Sequence, residues 1–344
     1  MESWHAEHDY PMCEMRSARD FVLSGRRPTA RGEDFSIPDS EYADDTALPF
    51  PTRGVCEEMA PQLFTHFERW GMEVHARAPG ATKASKSEVL FCAAPPRCYA
   101  DPATYNSADL SDIVLPDGRS MPVVDEFCYL GSMVTRHGGD TRDVDRRLES
   151  AAKAFGALRK CVFSSVSVTP AAKRAVYERL VLAIALFGCE CWCLTEVLWR
   201  RLRGFHAQCL RAMCRVTRKH AWDHHISSQE LGQRLGLKSI EFYVARRQAR
   251  WLGHVARMDF DRMPRKMLSS WVRSRRPVGC PNMTYNRSIG KSLDMLGIAS
   301  DAWSGLAADR TVWYAAIGGG KPPVRKQGFQ PLLPPTPPPS QRSS

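Results

Sequence analysis

Residues 41–50, EYADDTALPF, decide how this chain is read. Asp44 and Asp45 stand side by side between Tyr42-Ala43 and Thr46-Ala47-Leu48. The apolar flanks predict a half-buried segment. Two adjacent carboxylates repel each other, and burial raises that cost. A divalent cation between them would remove the conflict. Two short apolar runs, Phe35-Ser36-Ile37 and Thr46-Ala47-Leu48, flank the polar stretch, so the aspartates are expected at or near a hairpin turn.

The 344 residues allow two or three modest domains, with ordinary apolar (43%) and charged (25%) content. No apolar run approaches a membrane span, and MESWHAEHDYPMCEM has no signal-peptide core. An intracellular protein without a membrane partner is expected, its twelve cysteines reduced thiols. Charge is uneven. Residues 1–140 hold 13 Lys+Arg against 23 Asp+Glu, whereas residues 141–276 hold 28 against 11. A basic middle of that size suits a surface that meets phosphates.

Helical spacing of Val55, Met59, Leu63, Phe64, Phe67 and Trp70 predicts a helix over 54–70, stopped by Gly71. Short strands are expected at Met72–His75 and Glu88–Phe91, a loop over 93–119, and a hairpin over Met121–Val134. From Thr141 onward the pattern is helical. Val144, Leu148, Ala151, Phe155 and Leu158 mark a helix to about Val162. Thr169-Pro170 is a strong helix start, and Gly188 a stop. Further helices are expected after Thr195, near Ser228, from Ile240 to about Met258, at Pro264–Val272, at Met283–Leu296 and between Asp301 and Ile317. Residues 318–344 form a Gly/Pro-rich tail expected to be disordered; its Pro331-Leu-Leu-Pro334 is a formal PxxP match.

With these segments in order, the chain resembles the C-terminal half of a LINE-type, non-LTR retrotransposon reverse transcriptase. YADD (Tyr42–Asp45) resembles the catalytic turn, KSEVLF (Lys86–Phe91) the next palm motif, and EFCYLGSMVT (Glu126–Thr135) the primer-grip hairpin. AFGAL (Ala154–Leu158), YERLVLAIALFGCECWCLT (Tyr177–Thr195), FHAQCLRAMC (Phe205–Cys214) and RRQARWLGHVARM (Arg246–Met258) are similar to thumb and post-thumb segments. The likeness spans roughly residues 24–317. It implies an α+β fold: a partial polymerase palm of short antiparallel strands plus a helix at 35–138, an all-α thumb at 139–260 and a helical C-terminal region at 261–317. Residues 1–34 are expected to be weakly ordered.

The resemblance also implies roles. Two-metal nucleotidyl transfer in the full-length parent would use Mg²⁺ (or Mn²⁺) held by Asp44 and Asp45. Tyr42, Ala43 and Lys86 would meet the incoming deoxynucleotide or primer end, and Phe127, Tyr129, Leu130 and Gly131 would hold the primer. The expected partners are an RNA template and an RNA–DNA hybrid, with no small-molecule substrate besides dNTPs. The parent element would act in the nucleus.

An earlier FD-type strand, a QG-type segment and fingers do not precede Tyr42 in the sequence. Asp20, Asp34 and Asp39 are poor substitutes for a third metal ligand. The fragment is therefore expected to be inactive alone and to bind no metal firmly, and Phe35–Ile37 and Thr46–Leu48 are expected to keep open strand edges. A rival reading is a non-catalytic remnant gripping RNA–DNA hybrid through Arg146, Arg147, Lys153, Arg159, Lys160, Arg246, Arg247 and Arg250. A third is a decayed element without function. Cys189, Cys191, Cys193, Cys209 and Cys214 lack a standard zinc spacing and read as buried thiols; His224-His225 reads as a polar turn.

Overall fold

The computed structural model describes residues 13–17, 32–37, 39–81, 85–92, 110–136, 138–272 and 284–318. Asp20 and the Pro-rich tail lie outside them. The first helix, α1 (Arg53–Arg69), starts where Thr52 Oγ1 accepts from the Val55 amide at 3.3 Å. It ends at Gly71, whose φ of +71° suits a residue without Cβ.

Four strands precede or flank this start: β1 (Cys13–Ser17), β2 (Glu33–Ile37), β3 (Ser40–Tyr42) and β4 (Asp45–Ala47). The YADD hairpin pairs β3 with β4, Tyr42 opposite Asp45. The expected pairing of the Phe35–Ile37 run with Thr46–Leu48 is thus corrected. A two-residue turn selects the strands immediately flanking it, and β2 takes another partner. That partner is β1, the centre of a three-stranded antiparallel sheet whose other edge is β11 (Ser270–Val272). Cys13–Ser17, expected to be weakly ordered, is therefore a paired strand, and β2 is not left without a neighbour. The third strand, β11, lies far along the chain from β1, where no local pattern reveals the pairing.

Farther on, β5 (Val89–Leu90) pairs with β8 (Val123–Val124), and β6 (Ile113–Val114) with β7 (Ser120–Met121). The β5–β8 pair is parallel, against the expectation of antiparallel strands only. Part of the expected loop over 93–119 is strand β6, and Met72–His75 forms no strand. The apolar face of α1 covers these short pieces: Cys56, Ala60 and Phe64 meet Ile113, Leu115 and Met121. Then comes the tight hairpin of β9 (Glu126–Tyr129) and β10 (Ser132–Thr135).

The remainder is mainly helical. Helix α2 (Thr141–Leu158) runs into a π turn at Arg159–Phe163. Thr169 caps α3 (Pro170–Val176), accepting from the Ala172 amide at 3.3 Å with Pro170 in the first turn. A second π turn, Tyr177–Val181, leads into α4 (Leu182–Ala185). Next come α5 (Glu196–Cys214), α6 (Arg218–Asp223), α7 (Ser228–Leu235) and α8 (Ile240–Ala256). Apart from α6, which buries no side chain, their apolar stripes meet in one core, where Phe155 and Phe163 stack at 4.3 Å and Tyr177 stands edge-on to both.

Helix α8 belongs to two cores. Ile240 and Val244 close the first, while Ala249, Leu252 and Val255 open the second. The second is completed by α9 (Met263–Leu268), α10 (Tyr285–Met295), α11 (Trp303–Ala308) and α12 (Arg310–Ala316). The helix expected over Pro264–Val272 thus ends at Leu268 and yields to β11. The stretch expected as one helix before Ile317 is split where the Asp309 carboxylate accepts from Thr311 and Val312 amides at 2.7 and 2.8 Å. No helix of the described residues is long and apolar enough to cross a membrane.

Candidate nucleic-acid interface

The YADD turn consists of Ala43 and Asp44, with Ala43 at φ +56°. A residue with a Cβ rarely takes this left-handed conformation. Asp44 and Asp45 are exposed, and so is Tyr42, at 67%. The half-buried expectation is corrected: the apolar flanks form only the short β3 and β4, and water screens the carboxylates. Their repulsion therefore does not require a cation. Among the described residues no group of three or more acidic, imidazole or thiol side chains is placed to hold a metal ion. Asp34 is engaged by Arg16, at 2.6 and 2.7 Å.

The β9–β10 hairpin meets the β3–β4 hairpin at its open end, where Ser40 lies opposite Ala47. The Tyr129 hydroxyl donates to the Ser40 carbonyl at 2.8 Å and lies 3.2 Å from Ser40 Oγ. At the tip, Leu130 and Gly131 both have positive φ, +47° and +83°, as a two-residue turn matched to strand twist requires. Phe127 lies beside Tyr129, ring centroids 6.1 Å apart. Lys86 is exposed in the loop before β5, its amide donating to His75 Nδ1 at 3.1 Å. It has no hydrogen bond or ion pair with either aspartate.

Helix α2 clamps the hairpin from behind. Arg146 donates to the Gly131 carbonyl at 3.2 Å, and Arg147 donates to the same oxygen while stacking over Phe187 at 4.3 Å. Asp143 is buried. Its Oδ1 accepts from the Met133 amide at 3.1 Å and its Oδ2 from Trp192 Nε1 at 2.9 Å. One carboxylate thus ties β10 to the turn after α4. Next to it, Asp140 accepts from the Cys193 amide at 2.6 Å, and burial pushes its carboxyl above the ordinary range.

The eight cations singled out from sequence separate into two sets. Arg146 and Arg147 hold the hairpin. Lys153 pairs with Glu149 at 2.7 Å, Arg247 donates to the Leu186 carbonyl at 3.0 Å, and Arg250 lies over Tyr314 at 5.8 Å. Arg246 buries its Nε without a hydrogen-bond partner among the described residues. Arg159 and Lys160 are exposed on the first π turn and form no ion pair among the described residues.

Cys189 and Cys209 are buried, as expected, and burial pushes the Cys209 thiol up to about 12. Cys191 is exposed, and Cys193 and Cys214 are intermediate, so the expectation of five buried thiols holds for two. His224 and His225 close α6 in a turn with His225 at φ +51°. Sequence reasoning missed Ser40, Asp143 and Trp222. Ser40 acts through its backbone, which carries no residue signature. Asp143 looks like any first-turn helix acid. Trp222 is 82% exposed, and its environment depends on a helix too short to show periodicity.

No protein-family model and no solved structure matches the chain. It is similar to an uncharacterized transposon-derived protein of Caenorhabditis elegans: 25% identity over 289 residues, 82% of this chain and 95% of that one. It is also similar to the 115 kDa protein of the type-1 retrotransposable element R1DM of Drosophila melanogaster. That match has 26% identity over 155 residues, 44% of this chain and 14% of the fly protein. The first likeness is to a transposon-derived protein and the second to a retrotransposon protein; together they support a retrotransposon origin for the chain.

Proposed function

We propose that the chain is a palm-edge, thumb and C-terminal portion of a non-LTR retrotransposon reverse transcriptase. In this form it grips a template–primer hybrid rather than copying it. One observation carries the reading: the Tyr129–Ser40 hydrogen bond sets the YLG hairpin against the YADD hairpin, and Arg146, Arg147 and Asp143 lock the same hairpin onto the helical bundle. A primer-holding element between a catalytic turn and a thumb has this layout.

Among the described residues the donor set for Mg²⁺ or Mn²⁺ is incomplete. Asp44 and Asp45 supply two carboxylates from one turn, whereas a two-metal centre needs oxygens converging from separate strands. Two carboxylates on one turn do not by themselves complete a two-metal centre. Binding falls to the basic helical face and would act through phosphates and hybrid shape.

Two assays test this. An RNA–DNA hybrid should bind with an affinity that falls steeply with salt, and no binding at low salt would sink the reading. Primer extension on an RNA template with dNTPs and Mg²⁺ or Mn²⁺ should be absent. Extension that disappears in Asp44→Ala would instead establish a working catalytic turn.

A further inference from the structure

Trp222 is the most exposed large apolar side chain among the described residues, at 82%. It makes no ring contact there. An indole in water is costly unless something else covers it at times. Its surroundings say what. Arg215, Arg218 and Lys219 are exposed and form no ion pair among the described residues. His220 and His224 face each other across one helical turn, ring centroids 4.2 Å apart. Asp223 is the only acid between Arg215 and His225.

The platform is also rigid. Arg215, at φ +58°, ends α5, and the Val216 amide donates back to the Arg211 carbonyl at 2.9 Å. Thr217 caps α6, its Oγ1 accepting from the His220 amide at 3.1 Å. His225 then turns left-handed and the Ile226 amide donates to the Ala221 carbonyl at 2.8 Å. Val216 and Ile226 both pack on the first core. The short helix is thus pinned at both ends while its indole points outward, so little order has to be gained on binding.

We propose that Trp222, with Arg215, Arg218 and Lys219, is a stacking site for single-stranded nucleic acid, carried on other elements than the exposed Arg159 and Lys160. A base stacks on the indole and neighbouring phosphates lie against the three cations. An exposed aromatic among unpaired cations is what sequence-tolerant single-strand binding needs. An apolar protein patch would instead show several adjoining exposed apolar side chains. The assignment deepens the nucleic-acid reading above, and rests on it for the chain's general partner.

The test uses the full chain and two labelled probes, an unpaired oligonucleotide and a blunt RNA–DNA hybrid. Trp222→Ala should weaken single-strand binding about tenfold or more, Trp222→Phe should keep most of it, and hybrid affinity should stay the same. Arg218→Ala with Lys219→Ala should flatten the salt dependence for the single strand. Single-strand binding that is absent, or unmoved by Trp222→Ala, overturns the site. Loss of self-association in Trp222→Ala, with single-strand binding intact, would reassign the patch to protein contact. Single-strand binding that depends on Trp222, without any hybrid binding, would leave this site standing and remove the hybrid-gripping reading.

Discussion

The Tyr129 hydroxyl donates to the Ser40 carbonyl at 2.8 Å, joining two hairpins that the chain separates by 89 positions. With the 3.2 Å approach to Ser40 Oγ, it ties the YLG motif to the strand that leads into YADD. Tyr129→Phe removes it and keeps the ring. A hydrogen bond of this kind contributes about 0.5–1 kcal/mol, so amides of β3 and β4 should exchange roughly two- to fivefold faster. Helical amides should not change. Equal exchange in both proteins would mean that the two hairpins are positioned without this bond.

Asp143 governs the other side of the same hairpin. Asp143→Ala leaves the buried Trp192 Nε1 and the Met133 amide without an acceptor and strips Arg147 of its carboxylate neighbour. The expected loss is about 2–4 kcal/mol, against roughly half that for Asp143→Asn, which keeps one oxygen acceptor. Urea unfolding reads both. A loss below ~1 kcal/mol for the alanine variant would show that water replaces the carboxylate.

What could be read from sequence followed from what is local. Thr169-Pro170 demands a helix start, which occurs, and the hairpin expected over Met121–Val134 forms over Glu126–Thr135. The YADD hairpin was legible as a turn but not in its register, because Ser40–Tyr42 has no apolar pattern. The β11–β1–β2 sheet was not legible. Its pairing joins Met15 to Val272, and only tertiary structure makes so short a strand worthwhile. The π turns at Arg159 and Tyr177 were hidden too, since one inserted residue barely disturbs a helical stripe. Nor could the cations be sorted: Arg147 and Arg159 belong to the same residue type, yet one is spent on a carbonyl and the other faces water.

Gly253 reports on the second core. A Cβ added there would fall on the indole of Trp313, whose Nε1 donates to the Ala249 carbonyl at 3.0 Å. Trp313 is fully buried and cannot swing aside. Gly253→Ala should therefore displace α12 and cost about 2–3 kcal/mol, despite alanine's better helix propensity. Trp fluorescence should shift to the red as Trp313 meets water. A stabilised variant with unchanged fluorescence would refute this packing.

His206 makes the first core sensitive to acid. Burial lowers its pKa, while the Lys238 carbonyl, 3.2 Å from Nε2, works in the opposite direction; Tyr177 Oη lies 2.8 Å from Nδ1. With the folded pKa below the ordinary 6.5, the unfolded chain binds the proton first. Stability is then complete above pH 6.5 and falls as the pH drops below it. His206→Gln keeps hydrogen-bonding capacity without that titration. Its melting temperature should be flatter below pH 6.5, where the parent declines; parallel declines would place the acid sensitivity elsewhere.

The two sets of cations make opposite predictions for hybrid binding. Arg159 and Lys160 are exposed and uncommitted to any carboxylate, so each can release a counterion when it meets a phosphate. Arg159→Ala with Lys160→Ala should lower the slope of log affinity against log salt by up to about two, with an unchanged melting temperature. Arg147→Ala should do the reverse. It empties one donor from the Gly131 carbonyl and the contact over Phe187, so it should lower the melting temperature and loosen the hairpin while leaving the slope nearly as it was. A slope untouched by the double substitution would remove the first π turn from the binding face. The hybrid would then have to lie against cations elsewhere on the bundle.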